Sequence, residues 1–284
     1  MKLYSIETGN FKLDGGAMFG VIPKTLWEKT NPPDKNNRIE MAARSLLIED
    51  GEKLILIDTG LGNKQNEQFF SYFSRWGNHS IESSLKRAGF SKDDITDVFL
   101  THLHFDHCGG AVEKISGSIL SPAFKNAHYW SNKDHWDWAI TPNTREKPSF
   151  LKENFIPIKE SGQLKLLKSS VSNIITSSSL CFEILQVDGH TEKQMLPLIK
   201  YKGKTILFAG DLFPTVGHLP VSYLMGYDVR PLITMKEKST FLDKAIENDY
   251  LLFMEHDPYN ELISLKNTEK GVRLNESFLL KDYF

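Results

Sequence analysis

The sequence predicts an α/β protein built from two similar halves. Three observations predict it. Short apolar runs bounded by Gly, Asp and Asn recur as strands. The order strands, helix, strand occurs in the first part of the chain and again in the second. Four apolar runs are each followed within two residues by His or Asp, which is where open α/β sheets carry ligand-binding loops.

Residues 41–49 and 53–58 read as two strands joined by a turn at Asp50-Gly51. Residues 81–89 read as a short helix stopped by Gly89. Residues 95–101 are a short apolar strand leading into a histidine cluster. Residues 181–187, 196–201 and 204–209 are three further strands, the last two joined by Lys202-Gly203. A helix spans about 235–247, and residues 250–254 form a buried strand. The chain reads as a single domain, 1–284, interrupted at about 60–80 and 130–160. Both interruptions are aromatic-rich and poorly periodic, as loops or helices over a site would be.

Composition narrows the function classes. With 284 residues, 40% of them hydrophobic, the chain can bury a full core. Net charge is −2 and no basic block is longer than two residues, so nucleic acid is a poor partner. No apolar stretch is long enough for a membrane span, and the N-terminal residues lack the pattern of a signal peptide. The two cysteines, Cys108 and Cys181, make no disulfide framework, and a cytoplasmic protein is expected.

The densest signal is Thr101-His-Leu-His-Phe-Asp-His-Cys-Gly-Gly110. Three histidines and one aspartate occupy the six positions from His102 to His107. His102 and His104 can project to one side of an extended chain, while Asp106 and His107 follow at once. The loop thus offers an imidazole pair to one cation and a carboxylate with an imidazole to a second. Gly109 and Gly110 let the backbone turn away. Cys108 reads as a small packed residue rather than a ligand or redox sensor. Three later strand ends add donors: His190 in Asp188-Gly-His-Thr191, Asp211 after Gly210, and His256 between Glu255 and Asp257. Five histidines and two aspartates can satisfy two cations with a position left open on each.

With the order His102-x-His104-x-Asp106-His107, then His190, Asp211 and His256, the chain resembles the metallo-β-lactamase superfamily. Asp58-Thr-Gly60 resembles the superfamily's early aspartate turn. The resemblance implies a four-layer αβ/βα sandwich. It implies that His102, His104 and His190 hold one metal, that Asp106, His107 and His256 hold the other, and that Asp211 bridges them. It implies two divalent ions, zinc by default, and an Asp58 that orients a ligand imidazole or the loop. Two cations lower the pKa of a shared water, so hydroxide exists near neutral pH, and Asp106 is the natural carboxylate to carry a proton.

Within the superfamily, Leu13-Asp-Gly-Gly-Ala-Met-Phe-Gly-Val-Ile-Pro23, the histidine run and Gly189-His-Thr191 resemble the acyl-homoserine lactone lactonases and the methyl-parathion-hydrolase-like branch. The implied reaction is opening of a lactone ring, as in quorum quenching; a carboxylesterase or organophosphate hydrolase on the same site is the alternative. Where some of these lactonases place a tyrosine, three residues after the bridging aspartate, this chain has Pro214. His218, Tyr223 and Tyr227 are candidates to replace it, His218 and Tyr223 first. Met18, Phe19, Val21, Ile22 and Trp27, with Trp130, Trp136, Trp138 and Phe150, either line a pocket for an acyl chain or cover core and a homodimer contact. His128 and His135 read as structural.

Overall fold

A computed structural model describes all 284 residues. The chain divides into two compact units, each made of two segments: Met1–Asn10 with Ala43–Ser169, and Phe11–Ala42 with Ser170–Phe284. The units are therefore interleaved along the chain, not consecutive.

The first unit is organised by a mixed sheet. Arg38–Asp50 and Lys53–Ile57 pair antiparallel, with Leu46 opposite Ile57 and Asp50 opposite Lys53. The two-residue turn between them is Gly51-Glu52, one residue later than expected, and Gly51 takes the positive φ of 62° that glycine tolerates. Lys53–Ile57, Asp97–Phe99, His128–Asn132 and Leu164–Leu167 then run parallel to one another. Buried Leu47, Leu56, Val98, Leu103, Tyr129, Trp136 and Phe155 form the core beneath. The helix Ile81–Arg87 starts with a Ser80/Ser83 capping box. Both expected interruptions hold helices, Glu67–Phe73 and Lys133–Ile140, although a sheet strand, His128–Asn132, enters the second.

The second unit carries a seven-stranded sheet, in which Lys204–Phe208 and Leu251–Phe253 are parallel neighbours. The helix Pro231–Glu247 crosses between them. It begins four residues before its expected start because Pro231 sits in its first turn, where proline is preorganised. Thr234, Lys238, Phe241, Leu242 and Ala245 are its buried face, spaced as one side of a helix requires. Each of the larger apolar members contributes roughly 1.5–3 kcal/mol by leaving water. The turn Lys202-Gly203 has φ of 46° and 82°, the paired left-handed geometry of a tight hairpin. The hairpin Leu262–Thr268 and Gly271–Phe278 was not expected, because its polar residues dilute the apolar alternation. No helix is long and apolar enough to cross a membrane.

The register of the parallel pair matters for chemistry. Phe208 lies opposite Phe253, so Asp211 and His256 each follow three residues beyond a matched pair and emerge at the same sheet end.

The aromatic residues divide differently from a substrate pocket. Phe19 and Trp27 are buried and stack at 5.2 Å, and Phe19 also stacks on His218 at 4.3 Å. Trp136 packs on Phe155 inside the first unit. These side chains are core; of the N-terminal apolar stretch, Val21 is exposed. Phe19→Ala should accordingly cost about 3–5 kcal/mol in denaturant-induced unfolding. A loss below about 1 kcal/mol would show that the ring is not the core element its contacts indicate.

Candidate metal centre

The strand Asp97–Phe99 ends into the histidine loop. His102 to His104 is extended, and then a single helical turn, Phe105–Cys108, starts on His104. The His107 and Cys108 amides both donate to the His104 carbonyl, at 3.1 and 3.0 Å. One turn is enough to swing Asp106 and His107 off the line taken by His102 and His104. Within this unit His102 and His104 bring ligand atoms within 4.8 Å of each other, as do Asp106 and His107.

His102 and His107 each have one nitrogen committed to an outer partner. Asp58 does most of this work from a left-handed backbone position, φ 56°. Its Oδ1 accepts the Thr101 amide at 2.8 Å and its Oδ2 accepts the Thr101 hydroxyl at 2.6 Å. The same Oδ2 lies 3.1 Å from His107 Nδ1. Because the Thr101 proton goes to Asp58, the 3.1 Å contact with His102 Nδ1 is made by the imidazole N–H donating to Thr101. The Nε2 lone pairs of His102 and His107 are then left facing inward. His102 Nε2 meets His104 Nδ1 at 3.0 Å, and His107 Nε2 is 3.9 Å from Asp106 Oδ1. On the far side of His104, Nε2 is 3.7 Å from Glu146 Oε1. Buried Glu146 is held by Trp138 Nε1 at 2.8 Å and Asn143 Nδ2 at 2.6 Å. Asp58 thus orients both the His107 imidazole and the loop.

His135, read as structural, holds the loop directly: its Nε2 accepts the Leu103 amide at 2.9 Å. His128 is exposed on its strand. Gly109 and Gly110 are required for room, not for the left-handed φ that a sharp turn would need. A Cβ on Gly109 would lie 2.1 Å from the Leu61 carbonyl oxygen, and one on Gly110 2.3 Å from that of Thr59. Lys64 adds a hydrogen bond to the Gly109 carbonyl. Cys108 is wholly buried, its thiol pushed up to about 12 by that burial, and Sγ donates to the Leu103 carbonyl at 3.3 Å. It is a packed residue with no reactive thiolate.

The second unit repeats the pattern with other residues. His190 Nδ1 is 3.0 Å from Asp228 Oδ1, and its Nε2 is 2.9 Å from Asp211 Oδ2. His256 Nδ1 is 2.8 Å from the Ala42 carbonyl, and its Nε2 is 3.1 Å from Asp211 Oδ1. One carboxylate therefore presents a separate oxygen to each of two imidazoles. Burial alone would lower the His190 pKa, but Asp211 and Asp228 outweigh it and raise it to about 10. A divalent cation can take the place of that proton. Buried nitrogen and carboxylate donors with fixed tautomers fit a zinc-like ion in both units.

Asp228 was not anticipated; an aspartate in a Gly- and Tyr-rich loop carries no local signal. Phe69, Phe73 and Phe105 were also missed as a group. Their half-buried rings meet at 4.7 to 5.5 Å, and Phe105 stands between His104 and Asp106.

His218, Tyr223 and Tyr227 lie in the loop after Asp211. His218 is buried, with Nδ1 2.8 Å from the Thr215 hydroxyl and Nε2 2.8 Å from the Met18 carbonyl. Both nitrogens are committed and burial pushes the imidazole down to about 3, so it stays uncharged near neutral pH. Tyr223 is half-buried in the same tight surroundings as Asp211, Pro214 and Asp228, and its carbonyl accepts Lys238 Nζ at 2.7 Å. Tyr227 is more exposed.

Residues 39–114 match the family described as the Metallo-beta-lactamase superfamily. An N-acyl homoserine lactonase of Bacillus cereus is 29% identical over 158 residues, covering 51% of this chain and 58% of that protein. The chain thus matches little more than half the length of that relative. Among solved structures, a probable metal-dependent hydrolase from Staphylococcus aureus superposes with a TM-score of 0.87 at 27% identity, over 98% of this chain and 96% of that one. A dizinc quorum-quenching lactonase, bound to a hexanoyl-homoserine product, superposes with a TM-score of 0.78 at 24% identity, over 98% and 95% of the two chains. The fold is that of metallo-β-lactamase-type hydrolases, with mixed α/β sheets.

The buried His218 makes a pH prediction. Its folded pKa, about 3, lies below the ordinary 6.5, so the unfolded chain takes up the proton first. Stability is then present above pH 6.5 and is lost as pH falls toward 3. In thermal melts of metal-free protein, His218→Gln should start less stable but decline less steeply on acidification. Parallel wild-type and variant profiles would remove His218 from the acid limb.

Proposed function

We propose that this chain, whose residues 39–114 match the metallo-β-lactamase superfamily, is a dinuclear metal-dependent lactonase that opens N-acyl-homoserine lactones. In this reading His102, His104 and His190 would hold one divalent cation, Asp106, His107 and His256 would hold the other, and Asp211 would be shared by both. The observation that carries the reading is the shared carboxylate: Asp211 Oδ2 and Oδ1 lie 2.9 and 3.1 Å from two different imidazoles whose outer nitrogens are already anchored. Zinc suits the donor set. When bound, the pair supplies Lewis acidity toward a carbonyl oxygen and lowers the pKa of water toward neutrality.

The chain's own residues do the rest. Asp106 accepts the proton given up by the attacking water at its carboxylate. It returns that proton to the ring oxygen as the carbon–oxygen bond of the lactone breaks, leaving an N-acyl-homoserine with a free carboxylate. Tyr223 steadies the substrate carbonyl in place of the tyrosine that Pro214 displaces, and Lys238 fixes its backbone through the Tyr223 and Pro220 carbonyls at 2.7 and 3.0 Å. His218 takes no step. Phe69, Phe73 and Phe105 offer the acyl chain an apolar surface beside Asp106. Cys108 and Cys181 stand unbridged, as a cytoplasmic location would allow.

Turnover of a lactone panel tests the substrate. Burying each methylene gains about 0.8 kcal/mol, so kcat/KM should rise several-fold with each of the first two-carbon extensions and then saturate. Phe69→Ala with Phe73→Ala should flatten that rise while sparing the shortest lactone. Aryl esters or phosphotriesters turned over far faster than every lactone would transfer the assignment to an esterase or organophosphate hydrolase.

Asp211→Asn keeps the side-chain size but removes the shared charge. Its kcat should fall more than about a hundredfold. Near-normal turnover with full metal content would mean that Asp211 is not the bridge.

A further inference from the structure

The loop that presents His190 is gripped by one short stretch, residues 228–237. Glu237, in the helix Pro231–Glu247, takes the Asp188 amide at 2.6 Å on Oε1 and the Gly189 amide at 3.1 Å on Oε2. Arg230 Nη1 donates to the Asp188 carbonyl at 2.6 Å, and the Arg230 amide donates to the Gly189 carbonyl at 2.9 Å. The Val229 amide reaches the His190 carbonyl at 3.2 Å, while Asp228 takes the imidazole itself. Every backbone polar group of Asp188 and Gly189 is therefore engaged by this stretch. Gly189 also fits flush: a Cβ there would lie 2.2 Å from Thr234 Oγ1 and 2.3 Å from the Thr234 nitrogen.

We infer that Glu237 is a positioning residue for His190, fixing through both carboxylate oxygens the loop that aims this imidazole. The inference rests on the proposed role of His190 as a metal ligand. Docking the helix does not require this carboxylate, because Phe241, Leu242 and Ala245 already bury its apolar face. What the carboxylate adds is orientation. Two charge-assisted hydrogen bonds to consecutive amides fix the height and tilt of the peptide plane before His190. Gln cannot do the same, since it has one acceptor oxygen and its NH2 would face an amide donor. Outer partners of this kind are worth about 10–100-fold in metal affinity.

The test compares wild type, Glu237→Gln, Arg230→Lys, His190→Ala and the exposed control Glu247→Gln. Three quantities are read: the melting temperature of metal-free protein, zinc affinity by chelator competition, and the visible spectrum after cobalt loading. Glu237→Gln should bind its more weakly held zinc about 10–100-fold less tightly and shift the cobalt bands, with little change in the metal-free melt. Arg230→Lys should move affinity the same way, and Glu247→Gln should match wild type. Wild-type affinity and spectrum in Glu237→Gln, with or without a lowered melt, would overturn the positioning role, provided that His190→Ala loses an ion. Retention of both ions by His190→Ala would instead overturn the underlying assignment of His190.

Discussion

A histidine can hold a metal only with a lone pair that is unprotonated and aimed, and a neutral imidazole leaves that choice to its other nitrogen. In this protein the outer nitrogens are settled by fixed partners. Asp58 serves His107 directly and His102 through Thr101, Asp228 serves His190, and the Ala42 carbonyl serves His256. Much of the surrounding structure follows from keeping those partners still. Asp58 adopts a left-handed backbone to reach Thr101 and His107 together, and His135 fixes the Leu103 amide between His102 and His104.

The two units reach this arrangement by different means. In the first, the density of the sequence does it: four donors within six residues need only a one-turn helix to point in two directions. In the second, strand topology does it, because the parallel register of Phe208 with Phe253 delivers Asp211 and His256 to one sheet end. The helix between those strands is both core and jig. Its apolar residues bury into the sheet, while Lys238 and Glu237 bond the loops carrying Tyr223 and His190.

What was legible in the sequence follows from how local each signal is. The histidine loop and the strand-end His and Asp residues could be read because spacing along the chain determines their neighbours. The helix of the second unit could be read, though Pro231 moved its start. Asp228 and Glu237 could not, since common acidic residues acquire meaning only from a loop about 40 to 50 positions away. The aromatic residues misled for a different reason: apolarity says that a ring avoids water but not which surface covers it. Phe19 and Trp27 are covered by core, whereas Phe69 and Phe73, in a poorly periodic segment, stay half-open against Phe105.

Metal stoichiometry tests most directly whether these donors form a centre for two ions. Protein purified without chelator and saturated with zinc should carry close to two ions per chain by elemental analysis, with activity rising until the second is bound. Full activity at one ion per chain, with no further uptake, would contradict a two-ion centre.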